Sequence, residues 1–212
     1  MISKQTSNRC KTGSARSTIP AIILFILIAL PGATTVRAER YLTVAQAQNL
    51  CFPEADRFEE QTVRFTREQA AAVETKSGVK VRNRGNRLRI AWRGTNLLGV
   101  LVVDHVLGKH EIIDYAVAIS PGGKVLQIEL LEYRESHGYE IRGARWRDQF
   151  KGRTADSRLK LNDDIFNISG ATISCRHVTE GIKRVLATHD LVVRPRLSAV
   201  HKLPDASPSS EP

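Results

Sequence analysis

The chain has 212 residues and a formal net charge of +10, a balance that would suit a polyanionic partner. Five of the 32 Lys and Arg and none of the 22 acids fall within residues 1–38, so the remainder holds 27 basic against 22 acidic residues, a net of +5. Half of the basicity thus belongs to the N-terminal segment and is no nucleic-acid footprint, and the other 174 residues suffice for one domain with a substantial core.

Taken in chain order, Lys4, Arg9, Lys11 and Arg16 form a basic lead with no acid before Glu39. The apolar run Ala21 to Leu30 is shorter than the roughly 20 residues of a membrane span. Val36-Arg37-Ala38 then presents small or aliphatic residues at the two positions a signal peptidase reads. The pattern predicts a signal peptide over residues 1–38, cleaved after Ala38; an uncleaved anchor is the rival reading. The expected location is the periplasm or another exported compartment, with membrane association left open.

Residues 39–86 predict an N-terminal helical entry segment. Thr43 is a candidate N-cap for a helix over Val44 to Phe58, whose Val44, Ala47 and Leu50 share one face, with Pro53 interrupting. A second helix is expected over Thr66 to Lys76, carrying Ala70-Ala71-Ala72 and ended by Gly78. Lys76, Lys80, Arg82, Arg84, Arg87, Arg89 and Arg93 form a basic cluster that suits a solvated hairpin face. Such a face could steer an acidic partner or meet anionic headgroups. No aromatic residues interleave it as stacking on bases would require.

Residues 87–190 form the main predicted domain. Arg87 to Arg93 alternates as a half-buried strand, Gly94-Thr95-Asn96 turns, and Leu97 to Leu107 is apolar and β-branched enough for a central strand. Gly108-Lys109-His110 turns again, Ile112 to Ser120 gives a third strand, Pro121-Gly122-Gly123 a tight connection, and Val125 to Tyr133 a fourth strand. Short connections between consecutive strands imply an antiparallel meander. An irregular stretch follows Tyr133, and its Trp146 and Phe150 argue for burial. From Ile173 to Thr188 the apolar positions Cys175, Val178, Ile182, Val185 and Leu186 recur at helical spacing. The expected class is α+β: an antiparallel β-meander packed against a C-terminal amphipathic helix, with short N-terminal helices. Residues 191–212 read as a C-terminal extension whose Leu203 to Pro212 is a disordered tail.

Beyond Cys10 in the predicted signal, Cys51 and Cys175 remain; a disulfide is permitted, and sequence alone does not fix it. Neither belongs to a paired zinc motif, and His105, His110, His137 and His177 lack ligand spacing, so no metal site is expected. No Ser-His-Asp grouping, dinucleotide fingerprint or P-loop is present.

The most informative stretch is Ser169-Gly170-Ala171-Thr172, at the head of the last predicted helix. The first turn of a helix leaves amide donors unpaired and its dipole favours an anion there. Gly170 can take φ > 0 or let a ligand approach, Ala171 adds no bulk, and Ser174 with the following amides can solvate phosphate oxygens. The bland alternative is that Ser169 or Thr172 is an ordinary N-cap, worth about 1 kcal/mol.

Three segments occur in a fixed order: Glu135-Ser136-His137-Gly138 (E-x-x-G) after the last strand, then Trp146, Phe150 and Gly152 (W-x-x-x-F-x-G), then the S-G-A-T loop and its helix. In this order, over roughly Leu97 to Leu186, the chain resembles the FMN-binding domain family. That family includes the flavin-carrying subunits of Rnf-type complexes and of the sodium-pumping NADH:quinone reductase. The resemblance implies FMN as cofactor, tethered by a phosphoester to Thr172, a separate flavin transferase for maturation, and redox donor and acceptor proteins that can be membrane-bound. It implies an electron carrier rather than an enzyme with its own substrate, and so no catalytic residue. Tyr139 and Trp146 are candidate contacts of the flavin ring, with core packing as the alternative. Glu135 would either order its loop or face the flavin.

In one respect the chain departs from the family. An acid commonly stands three or so positions before the first hydroxyl of the motif; here Phe166 and Asn167 stand there, and the acids are Asp163 and Asp164. Asn167 could stabilise the loop through its side chain. Two other readings stay open: a reductase or sensor holding FMN non-covalently, and a cofactor-free exported binding domain.

Overall fold

The computed structural model describes residues 39–82 and 85–201. The predicted signal peptide and the Leu203 to Pro212 tail lie outside the described residues. The segment expected to be helical contains more than helices. It begins with β1 (Glu39–Arg40) and α1 (Val44–Cys51), whose Thr43 and Gln46 form a reciprocal capping box. The predicted helix stops seven residues early, because the turn at Pro53 ends it, and Phe58 belongs to β2 (Arg57–Arg64). This strand escapes sequence reading because RFEEQTVR shows no clean alternation; only Val63 is fully buried. α2 (Arg67–Ser77) is closed by Thr66 and Gln69 at its start and by Gly78 in the left-handed region at its end.

The meander follows as expected: β3 (Gly85–Arg93), β4 (Asn96–Leu107), β5 (Ile112–Ile119) and β6 (Val125–Tyr133). The six strands form one sheet in the order β1-β6-β5-β4-β3-β2, with every neighbouring pair antiparallel. β6 leads through a 3₁₀ turn (Tyr139–Arg142), α3 (Ala144–Arg147) and a second 3₁₀ turn (Asp148–Phe150) to the loop before α4 (Thr172–Thr188). The helix continues through a π-helical turn (His189–Val193) into α5 (Arg194–His201). Residues 191–201 of the C-terminal extension are helical, and buried Val192, Val193 and Leu197 tie them to the core.

Alternation along the strands divides the core in two. Val100, Val102, Tyr115, Val117, Ile128 and Leu130 face the helical layer made by α2 and α4, while Leu101, Ala116, Ala118 and Leu131 face α1. Small residues on the second face let α1 approach with Ala47, Cys51 and Phe52. Cys175 sits in the first cluster and Cys51 in the second, and both are unpaired. The sheet separates them, so the disulfide that the sequence permits does not form. Burial pushes the Cys51 thiol up to about 12, with the nearby Glu129 charge adding to the effect.

α4 is seated on the sheet closely enough to fix what stands at its head. Its Cys175, Val178, Ile182, Val185 and Leu186 are buried, each aliphatic chain contributing roughly 1.5–3 kcal/mol. A Cβ on Gly181 would lie 2.2 Å from the Tyr115 hydroxyl, so only glycine allows this approach. Asp104 Oδ2 completes the clamp, accepting from Tyr115 Oη at 2.9 Å and from Arg184 Nη2 at 2.7 Å. Three members of the basic cluster are paired: Lys76 with Asp156 and Asp190, Arg89 with Glu60, and Arg93 with Glu54.

Candidate functional site

The S-G-A-T loop is a tight turn running into α4. Ala171 N–H donates to the Ile168 carbonyl at 3.0 Å, and Gly170 takes φ +81° with open space around it. That is the left-handed conformation a type II turn needs at its third residue. Ala171 is the N-cap of α4 and offers no side-chain cap; Thr172 is the first helical residue. The ordinary N-cap reading of Ser169 and Thr172 therefore fails. Cys175 N–H reaches the Ala171 carbonyl at 2.9 Å, whereas the amides of Thr172, Ile173 and Ser174 precede any intrahelical acceptor. Thr172 Oγ1 instead accepts from Asn167 Nδ2 at 2.9 Å.

Gly170 to Ser174 line a cavity of about 230 Å³ together with Lys109, His110, Glu135, Ser136 and His137. Two distant turns thus meet at the helix head: the β4–β5 connection and the E-x-x-G segment after β6. Glu135 explains how. Its carboxylate is buried and accepts from the His110 amide at 2.7 Å and the Glu111 amide at 3.1 Å, so it orders the β4–β5 turn. A Cβ on Gly108 would lie 2.4 Å from Glu135 Oε1, which makes the glycine of that turn part of the site. The sequence carries only a turn signal there, with nothing to link it to the S-G-A-T loop.

Gly138 closes the other side. It has φ +85°, and Tyr133 Oη donates to the His137 carbonyl at 2.6 Å. Burial raises the Tyr133 pKa, opposed by a hydrogen bond from Ser174. Ser174 is buried and lines the cavity. Gly170 is exposed at the mouth and Thr172 half-buried, whereas Ser169 is exposed and does not line the cavity.

The two aromatic candidates do not line this cavity. Trp146 is buried, packs edge-on against Phe150 at 5.0 Å and donates from Nε1 to the Phe166 carbonyl at 2.9 Å. It is a core residue that steadies the backbone leading to Ser169. Tyr139 is exposed and lines a separate open groove of about 830 Å³ with Tyr41, Leu42, Glu129 and Arg142. The upstream acids are also occupied. Asp164 accepts from the Leu159 and Lys160 amides at 3.1 and 2.6 Å and pairs with Arg153 at 3.5 Å. Burial works against its charge, but the Lys160 amide and Arg153 outweigh it and hold its pKa low. Asp163 pairs with Arg158.

These residues fit a phosphate. Uncapped first-turn amides, a left-handed glycine with nothing beside it, and Lys109 at the rim favour an anion. The cavity is smaller than the roughly 300–1,000 Å³ clefts that enclose whole ligands, so it suits the phosphate end of a nucleotide.

The profile of the FMN-binding domain family matches residues 108–187, which run from the Gly108 turn to the end of α4. The chain is 28% identical over 103 residues to one subunit of the proton-translocating ferredoxin:NAD(+) oxidoreductase complex of Clostridium ljungdahlii, covering 45% of this chain and 56% of that protein. It thus spans little more than half the length of that curated relative. The crystal structure of Shewanella oneidensis NqrC shares the fold, with a TM-score of 0.51, 16% identity, and coverage of 74% of this chain and 90% of that one. Residues 108–187 thus match the FMN-binding domain family, and FMN is the cofactor that this match indicates.

Proposed function

We propose that the protein is an exported electron carrier whose single FMN is joined through its phosphate to Thr172 Oγ1 and exchanges electrons with partner proteins. The observation that carries this reading is the position of Thr172: the first residue of α4, serving no cap, at the mouth of a cavity beside unpaired amides. Bound FMN supplies the redox chemistry. The chain's residues hold the phosphate with the first-turn amides of α4, keep the loop turned at Gly170, and brace the cavity wall through Glu135. A cavity sized for the phosphate leaves the rest of the nucleotide within reach of a partner. The similarity to one component of a ferredoxin:NAD(+) oxidoreductase complex supports redox partners that sit in or at a membrane. Among the described residues no helix is long and apolar enough to cross one, so membrane contact would come through partners or through residues 1–38. Export rests on the basic lead, the apolar run and Val36-Arg37-Ala38.

Intact-mass analysis of protein made with a flavin transferase tests this directly. The expected adduct is one FMN less one water, absent from Thr172→Ala, and after export a new N-terminus at Glu39. Yellow colour released into the supernatant on denaturation would replace the tether with non-covalent binding. Colourless, unmodified protein would reject the flavin role altogether.

A further inference from the structure

The side chain nearest the attachment oxygen is one the family motif does not contain. Asn167 Nδ2 lies 2.9 Å from Thr172 Oγ1, while Asn167 Oδ1 is buried with no hydrogen-bond partner among the described residues. A buried amide oxygen without a partner costs on the order of 1–3 kcal/mol, so a well-packed loop would normally fill it. Among the described residues its side-chain amide makes one hydrogen bond, to Thr172 Oγ1. A half-turn about its last side-chain bond exchanges Nδ2 and Oδ1 at nearly constant shape.

That freedom matches what the threonine oxygen needs. A free hydroxyl donates its proton and can accept; an ester oxygen can only accept. Asn167 can serve both states: Nδ2 donates to Oγ1 here and can go on donating to the ester oxygen, while a half-turn presents Oδ1 to the free hydroxyl. An aspartate could accept from the hydroxyl, but would place a second negative charge against a phosphodiester.

We propose, building on the tether at Thr172, that Asn167 is a positioning residue for flavin attachment, holding the Thr172 oxygen in one rotamer before the bond forms and donating to it afterwards. In attachment the Oγ1–H bond breaks and an Oγ1–P bond forms. The phosphoryl donor is a flavin nucleotide activated through a pyrophosphate bond; its P–O bond breaks and the departing phosphate carries off the proton. No electrons are exchanged.

The test follows FMN adduct formation by intact mass over time in the full chain, with a flavin transferase, for wild type, Asn167→Ala and Asn167→Asp. Thermal melting of the unloaded proteins is measured alongside. Asn167→Ala should slow attachment about tenfold, the effect of losing one hydrogen bond at the reacting oxygen. Asn167→Asp should also be slow at neutral pH, and its rate relative to wild type should rise as pH falls toward the carboxyl range, where the protonated acid regains a donor. A purely structural role would not produce that pH-dependent ratio. Wild-type rates in both variants, or slowing that tracks only the loss of folded protein with a flat pH ratio, would overturn the role of Asn167 and leave the tether standing. Absence of any adduct in wild type would instead defeat the tether, and this proposal with it.

Discussion

Ala171 rests directly on Gly138: a Cβ built on Gly138 would lie 2.3 Å from Ala171 Cβ and 2.8 Å from the Tyr133 hydroxyl. The E-x-x-G segment and the S-G-A-T loop are therefore two halves of one contact, and the small residues in both are there to let the backbones meet. Gly138 also needs its φ of +85°.

Gly138→Ala should consequently destabilise the protein by roughly 2–4 kcal/mol, combining an unfavourable backbone conformation with overpacking. Ala171→Gly in that background removes the opposing methyl and should recover part of the loss. Urea denaturation of the two single variants and the double variant would show a favourable coupling on the order of 1 kcal/mol. Strictly additive effects would mean that the two residues do not press on each other.

Glu135 makes a second prediction at the same wall. Its carboxylate is the acceptor for the His110 and Glu111 amides, so Glu135→Ala strands two donors beside the cavity. The expected loss is roughly 2–3 kcal/mol, confined to the 108–111 turn. Hydrogen exchange should show the His110 and Glu111 amides exchanging at least about tenfold faster, while strand amides such as Val117 stay protected. Unchanged protection at His110 would remove Glu135 from the role of organiser.

Much of this is legible in the sequence, for reasons that also explain the rest. The four strands of the meander alternate or run apolar between glycine-rich turns, and α4 carries apolar residues at helical spacing, so period alone locates them. β2 stays hidden because its exposed face breaks the period, and its place is set by pairing with β3 in a register from Arg57 opposite Trp92 to Arg64 opposite Gly85. At the site, the motif order points to Thr172, Gly170 and Glu135. Trp146 and Tyr139 are not assignable in the same way, because an aromatic's type says nothing about which side of a turn it faces. Asn167 reads in sequence as a partner of the backbone, and only the folded loop shows its amide against a side-chain hydroxyl. Gly108 gives a turn signal, but its contact with Glu135 depends on two hairpin ends meeting in space.

The cysteines yield a chemical prediction. Cys51 and Cys175 lie in separate clusters on opposite faces of the sheet, and burial raises the pKa of both thiols. Native protein treated with iodoacetamide at about pH 8 should leave both unmodified, because little thiolate is present and access is closed. Unfolding in urea without reductant should expose both to alkylation. A non-reduced peptide joining Cys51 to Cys175 would contradict the separation of the two cores.

The far end of α4 carries a pH dependence. His189 is buried in the π-helical turn, and among the described residues neither ring nitrogen has a hydrogen-bond partner. Burial, reinforced by the Arg194 charge and only partly offset by Asp190, drops its pKa from 6.5 to about 4. Asp190 is itself engaged by Lys76 and Arg194, which limits its help to the imidazolium. The unfolded chain therefore takes up this proton more readily than the folded one. His189 has no effect on stability above about pH 6.5, costs increasing stability as pH falls from 6.5 toward 4, and levels off below that. The full difference is on the order of 3 kcal/mol. Urea midpoints measured at about pH 7 and about pH 4.5 should show His189→Phe losing roughly 2–3 kcal/mol less than wild type over that interval. Parallel losses in the two proteins would mean that the imidazole is hydrated or paired in solution, and that the π-helical turn is not the acid-sensitive point of the helix.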